Sequence, residues 1–355
     1  MFGMFKNSKH QQEALHAAAR NGHDDIAAHL LKTGVNINSL DENNMTPLSK
    51  AIQGLRWDTA KLLIEKGADI ILAKDSTSYL QTACFGGNTE IVRMLLEKSN
   101  HIGDKKSLLT EAVWSAASGS SIDVIQLLID NGADVNGKDK EDRTLLQYAV
   151  ENGKLQLAEC LLGAGADVNA RNRWGEPILT YAINNGHFDL SKLLVEKGAD
   201  VNEANTKDGR TPLMLAASRG SLETVDLLVC HGADIEKTNK EGTNALMFAA
   251  AYANFGDVVE YLIKKTRDIN QSDNQGNTAL FWAVDEGKMT AVNLLLKNGA
   301  NVNLADKSGR ACLMYAAYKG NETLVNILLS QGADPNATDG KVSQPSNAPD
   351  WAVMV

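Results

Sequence analysis

Cysteine is scarce in this chain: Cys84, Cys160, Cys230 and Cys312 are the only four in 355 residues, and no two form a CxxC pair. That spread argues against a disulfide framework or a zinc ribbon and suits a reducing compartment. No apolar run approaches the roughly 18 residues a membrane span needs. The opening MFGMFKNSKHQQ lacks the longer apolar stretch of a signal peptide. A cytoplasmic location is the default expectation; a protein exported into a host cell through a needle-type or contact-dependent machine would read the same. Positive charge is also short, with 35 Lys and Arg against 44 Asp and Glu and a net charge of −9. An acidic chain repels phosphate backbones, so nucleic-acid binding is disfavoured without a local basic cluster. Catalytic signatures are missing too: no GxxxxGKS/T, HExxH or GxSxG occurs. Gly163-Ala164-Gly165 has neither the third glycine nor the preceding strand of a dinucleotide turn. The expectation is a chain without catalytic residues, cofactor or metal.

What the chain does have is a period. With Thr211 of DGRTPLMLAASRG as the marker, equivalent positions fall at Glu13, Thr46, Ser78, Glu111, Thr144, Pro177, Thr211, Asn244, Thr278 and Ala311. The spacings are 32 to 34 residues, so the two or three globular domains that length alone would suggest give way to a solenoid of ten repeats. Five residues after the marker every repeat has Ala: Ala18, Ala51, Ala83, Ala116, Ala149, Ala182, Ala216, Ala249, Ala283 and Ala316. Seventeen after it, nearly every repeat has Leu, from Leu30 and Leu63 to Leu295 and Leu328; repeat eight matches at Leu262 once one inserted residue is allowed. A small residue lets two helices approach, and a large aliphatic fills the groove between them.

Each repeat therefore reads as two short helices. The first runs from the TPL-like start to a glycine such as Gly153 or Gly220, where the left-handed conformation of a helix C-cap is needed. Pro47 and Pro212 suit the first helical position. The second helix carries the Leu pair and ends at GAD or GAN. A stretch such as DVNARNRWGE then reads as a short hairpin turn into the next repeat.

These residues, TPLMLAASRGSLETVDLLVCHGADIEKTNKEG above all, resemble the ankyrin repeat, over about residues 11–336. The resemblance implies an all-α solenoid of helix-turn-helix units joined by short β-hairpin loops. The expected organisation is an N-terminal extension at 1–10, ten repeats at 11–336 with the first and last as caps, and a tail at 337–355. His16 takes the histidine place of the TPLH pattern, and His23 and His187 follow the first-helix glycine. Hydrogen bonding between loop and helix is the plain reading of these histidines. The resemblance also marks Asn136, Asn169 and Asn202, each eight residues after a Leu, as candidate targets of asparaginyl hydroxylation where the host has the enzyme.

In this family the hairpin tips and the exposed side of the first helices form a concave face that binds protein partners. Mapped residue by residue, that face holds Arg143, Arg171, Arg173, Trp174, Glu176 and Arg210 at the tips. Arg219, Tyr252 and Tyr318 stand at first-helix ends. Trp174 with its arginines is the expected anchor on an acidic or mixed partner surface, since Trp and Arg dominate interfaces. The competing reading folds Trp174 against its neighbouring hairpin. An aromatic line, Tyr148, Tyr181, Phe248, Trp282 and Tyr315, has two readings as well: packing between repeats, or anchors on the inner surface.

Repeats three and eight break the pattern, with Ser99 and Thr266 where the second glycine belongs and YANFGD between the helices of repeat eight. Either these are tolerated loop changes, or they alter curvature or lengthen a contact loop. Repeat ten reads as an internal repeat without a polar cap. Three readings stand for the tail: Trp351, Val353 and Met354 fold back over the last helices, the tail is disordered, or the chain continues or docks elsewhere. The functional expectation is a monomeric scaffold or adaptor for a protein partner. The alternative is a targeting or regulatory ankyrin domain of a larger enzyme or channel, or an inhibitor or immunity-type protein.

Overall fold

A computed structural model of the chain describes residues 4–70, 76–98, 105–172, 174–252 and 256–339. Its contacts define two compact units: Met1–Ala149 with Lys154–Asp167, and Val150–Gly153 with Val168–Val355. Each is a helix-turn-helix solenoid, and together they hold twenty helices among the described residues.

The marker residues set where the first helices begin. Thr46 and Thr211 sit in extended backbone as N-caps, each followed by Pro at the first helical position. The Thr46 hydroxyl accepts from Ser49 N–H at 3.1 Å, and Ser49 Oγ accepts from Thr46 N–H at 3.1 Å. Thr144 and Gln147 form the same reciprocal box, at 3.3 and 2.7 Å. Such a cap satisfies two backbone donors that the first helical turn leaves open. Where the marker is Glu, no such cap exists and the helix runs through. The first helix of repeat one spans Met4–Asn21 and that of repeat four Lys105–Ser118, against Pro47–Gln53 or Cys312–Tyr318 elsewhere. The expected start at the marker thus fails in these two repeats and also in repeat three, whose first helix opens at Ser76 ahead of Ser78, and the boundary drawn at residues 10/11 falls inside a continuous helix.

The two sequence columns form the core. All ten Ala of the first helices are at most 3% exposed. Leu63, Leu128, Leu161, Leu194, Leu228, Leu262, Leu295 and Leu328 are fully buried. The hairpins are short: four close on one antiparallel bridge each, Lys138–Thr144, Arg171–Pro177, Ser272–Thr278 and Ala305–Ala311, and the described residues contain no longer strand. An Asp or Asn organises the described tips. Asp139 Oδ1 accepts from Glu141 and Arg143 N–H, both at 2.9 Å. Asn172 does the same for Trp174 and Glu176, and Asp306 for Ser308 and Arg310. This is the Asx turn, a side chain standing in for backbone.

A second set of bonds joins consecutive repeats. Asn136 Oδ1 accepts from Asp167 N–H at 2.8 Å; in the other unit, Asn169 serves Asp200, Asn202 serves Asp234, and Asn303 serves Asp334. Asn202 Nδ2 also donates to Gly232 O at 2.9 Å. Repeat eight departs from this in a matched way. Glu236 replaces the Asn, and its Oε1 accepts from Arg267 N–H at 2.8 Å and Thr266 Oγ1 at 2.9 Å. The Thr266 break is therefore accommodated at this joint. The Ser99 break, the inter-helix residues 253–255 and the tail lie outside the described residues.

Candidate partner-binding face

Three tip arginines are ion-paired, Arg143 and Arg210 within their own hairpins and Arg171 with the following one. Arg143 reaches Asp139 Oδ2 at 2.9 Å and Glu141 at 3.4 Å. Burial pushes the Asp139 carboxyl up, but the Arg143 N–H and guanidinium outweigh it and hold it below the ordinary Asp value. In the second unit Arg171 pairs with Glu203 and donates to Gly175 O at 2.6 Å. Arg210 Nε meets Asp208 at 2.8 Å, and its guanidinium lies 4.7 Å above the Phe248 ring. Arg173 lies outside the described residues.

Trp174 stands at its hairpin tip with 58% of its surface exposed. Its backbone is fixed on both sides: its N–H donates to Asn172 Oδ1 at 3.0 Å and its carbonyl accepts from Thr206 Oγ1 at 3.2 Å. Glu176 Oε2 accepts from Asn172 Nδ2 at 3.1 Å. At the helix ends, Arg219 donates to Asn184 Oδ1 at 2.9 Å, and Tyr252 stacks on Phe248 with centroids 6.2 Å apart while remaining exposed. Tyr318 is the most open of these rings, at 78%.

Three members of the aromatic line, Tyr148, Trp282 and Tyr315, make contacts within the stack while staying half-buried. Tyr148 is half-buried edge-on against Trp114 at 5.7 Å, with Lys154 Nζ 5.0 Å from its ring. Phe281 meets Tyr315 edge-on at 4.2 Å, Arg310 covers Tyr315 at 4.8 Å, and Trp282 Nε1 donates to Asp273 at 3.1 Å. Tyr148 and Tyr315 join neighbouring first helices, and Tyr315 and Trp282 also meet hairpin residues.

One feature escaped the sequence reading. In the first unit a groove of about 1080 Å³ borders the elongated first helix of repeat four, lined by Gln81, Thr110, Trp114, Lys138, Asp139 and Glu141 among others. Glu111 at the marker position carried its signal, because a Glu there removes the cap that would end the helix.

His16 is buried, and its Nε2 lies 3.2 Å from Ser39 Oγ. Burial first, then the Lys50 charge, lowers its pKa. Its Nδ1 has no hydrogen-bond partner. In repeats two and five the side chain at this position accepts from the marker N–H, whereas the Glu13 N–H belongs to the helix ladder. Among the described residues no cluster of three His, Cys, Asp or Glu is placed to hold a metal. The Cys84 and Cys312 thiols are buried and pushed up to about 12 by burial, which makes them poor nucleophiles. No helix of the described residues is long and apolar enough to cross a membrane.

Stacked helix-turn-helix repeats with capped first helices and Asx-turned hairpins define a class of interaction module, the α-solenoid of short repeats. Models of the ankyrin repeats match residues 3–74, 146–239 and 246–339, and a second such model matches residues 113–162. The chain belongs to the ankyrin repeat family. It is 39% identical over 83 residues to a transient receptor potential cation channel subfamily A member 1 homolog of Caenorhabditis elegans, a match covering 23% of this chain and 7% of that protein. It is 33% identical over 97 residues to a Notch-regulated ankyrin repeat-containing protein of Xenopus laevis, covering 26% of this chain and 85% of the relative. Among solved structures, the ankyrin repeat domain of Bcl-3 aligns with a TM-score of 0.51 at 28% identity, over 56% of this chain and 91% of that one.

Proposed function

We propose that this chain is a scaffold or adaptor that grips a protein partner through its hairpin tips and inner-helix ends, with Trp174 as the central anchor. The observation that carries the reading is an indole 58% exposed on a backbone held at both sides. A rigid exposed ring costs little ordering entropy on binding, and buried Trp anchors are worth at least about 2 kcal/mol at hot spots. Arg171, Arg210 and Arg219 belong to the candidate set of the same unit with Glu176, Tyr252 and Tyr318, Arg143 is a candidate of the first unit, and Arg173 lies outside the described residues. The ion pairs of Arg143, Arg171 and Arg210 are partly exposed and worth about 0–1 kcal/mol each, so an acidic partner group can replace the internal carboxylate at small cost. Affinity capture with the intact chain and with Trp174→Ala, followed by titration of the captured protein, tests the reading. The expected loss is at least tenfold; equal affinity would remove Trp174 from the face.

A second reading, an ankyrin segment that regulates or targets a larger protein, draws support from the channel relative, of which the chain spans 7%. Residues beyond this sequence in the native transcript would favour it.

A further inference from the structure

Hairpin tips of the second unit are tied to one another through the residue four before the marker. Lys240 N–H donates to Asp208 O at 3.1 Å, Asn274 N–H to Glu241 O at 2.9 Å, and Lys307 N–H to Gln275 O at 2.8 Å. Two of these side chains reach the preceding tip as well. Lys240 Nζ donates to Thr206 O at 2.7 Å and Lys207 O at 2.8 Å, and Asn274 Nδ2 donates to Lys240 O at 2.9 Å. Each of these tips is a turn whose carbonyls accept from the donors of the next.

Lys140 holds the same position in repeat five of the first unit, but no turn precedes it. The residues of repeat four that correspond to a tip, 106–110, are helical instead, within Lys105–Ser118. Among the described residues neither the Lys140 N–H nor its Nζ has an acceptor. Between that helix and the Lys140 tip runs the groove of about 1080 Å³, with Thr110 and Trp114 in one wall and Lys138, Lys140 and Glu141 in the other. Trp114 is half-buried, and its indole N–H has no acceptor there either. The charges around the groove are met within the chain: Lys106 by Asp134 at 3.0 Å, Lys138 by Asp142 at 2.9 Å and Asp139 by Arg143 at 2.9 Å. Glu111 accepts from Gln81 Nε2 at 2.6 Å. What the groove leaves unmatched is therefore a set of hydrogen-bond donors. The same event recurs where the first helix of repeat one, Met4–Asn21, runs through: a groove of about 610 Å³ lies beside it, lined by Glu13, His16, Leu40 and Glu42 among others.

We propose that the groove of repeat four is a second docking site, and that it takes a tight turn of a partner protein, inserted carbonyl-first in the place of the absent tip. The inference goes beyond the proposed face and does not rest on Trp174. The chain's own tips are the template: Thr206, Lys207 and Asp208 present three carbonyls to one lysine, Lys240. A turn that presents the same carbonyls to Lys140 makes the same bonds, and Trp114 adds a donor and a ring on the facing wall. Recognition through backbone groups, as in strand addition to a sheet edge, selects the shape of the turn ahead of its charge. With the surrounding charges already paired, affinity should vary little with salt.

The probe is a cyclic peptide of residues 205–210, the tip of repeat seven, closed where Asn205 N–H meets Arg210 O at 2.9 Å. It is titrated into the intact chain, isotopically labelled at lysine and tryptophan nitrogen, with Trp114→Phe and Lys140→Arg assigning the two resonances. The expected result is a saturable shift of the Lys140 amide and the Trp114 indole at millimolar probe or below. Lys140 is the second residue of a turn closed by Asp142 N–H to Asp139 O at 3.1 Å, a place that favours proline. Lys140→Pro removes both donors and should weaken binding at least tenfold, read at Trp114, with the melting temperature unchanged. Lys140→Ala keeps the N–H and should weaken it severalfold. A Trp114 resonance that stays put at millimolar probe, or that moves equally in wild type and both Lys140 variants, overturns the proposal. A shift that grows with chain concentration in the absence of probe gives the groove to a second copy and overturns it equally. Trp174→Ala should leave the titration unchanged, so the two binding readings fail separately; a titration lost in that variant gives the probe to the other face and sinks this one.

Discussion

Leu55 and Ser120 occupy the position where most repeats have the first-helix glycine, and both are held at positive φ, 53° and 60°. A side chain in that region costs about 1–2 kcal/mol. Leu55→Gly and Ser120→Gly should each raise stability by up to about 1 kcal/mol, part of the relief being offset by the greater freedom of the unfolded glycine. Urea midpoints of the two variants check this. His16 sets a pH dependence of definite sign. Burial and Lys50 lower its folded pKa below the ordinary 6.5, so under that pH the unfolded chain takes up a proton that the folded chain refuses. Stability should fall as pH drops from about 7 towards the folded pKa, and His16→Gln should abolish that part of the slope. Asp41, 2.6 Å from Lys50, acts further down. Burial pushes its carboxyl up, but the hydrogen bond from Lys50 and the N–H groups of Met45 and Asn43 outweigh it and hold it at about 2, so its contribution persists until strongly acid pH. Single residues were the least legible scale. His16 was placed correctly by the TPLH pattern, but its orphaned Nδ1 follows from a helix that Glu13 fails to stop.

At the scale of elements the period was read more completely. Helix pairs, the Ala and Leu columns and the described hairpin turns are all consequences of short-range pattern, and they stand where the sequence put them except at the first-helix starts of repeats one, three and four. The Asn rungs were missed as a structural device, because each bonds a backbone group about 31 residues away and nothing local announces it. Asn136, Asn169 and Asn202 had drawn notice only as hydroxylation candidates; their Oδ1 atoms are acceptors between repeats. Asn202→Ala removes bonds to Asp234 N–H and Gly232 O, and should destabilise by about 1–3 kcal/mol in a denaturant titration. Asn202→Asp should recover part of this, since a carboxylate keeps the acceptor and loses the donor. Gly119 offers a sharper case. A Cβ there would stand 2.1 Å from the Phe85 carbonyl oxygen, so Gly119→Ala should cost at least about 2 kcal/mol and loosen the pairing of the first helices of repeats three and four.

On the scale of the whole molecule, stability in such a stack is close to a sum of repeat and neighbour terms. The candidate face was legible as a set of positions and not as chemistry: the tip arginines, expected to await an acidic partner, already face Asp139, Glu203 and Asp208. Sequence could not give this, because the pairing depends on how each loop closes. Binding should accordingly weaken only modestly with salt, about as expected for exchanging one ion pair for another, and titrations at two ionic strengths measure it. The joints between repeats have a further consequence for how such a chain can change. Where an Asn on one side meets a backbone N–H on the other, any repeat can follow any other, and duplication or loss of a whole repeat leaves a working seam. The seam of Glu236 with Thr266 is different, since it joins two side chains, a carboxylate and a hydroxyl, in addition to the backbone N–H of Arg267. Among the described seams it is the one place where shuffling would be punished, so repeats seven and eight should be inherited as a linked pair while their neighbours come and go.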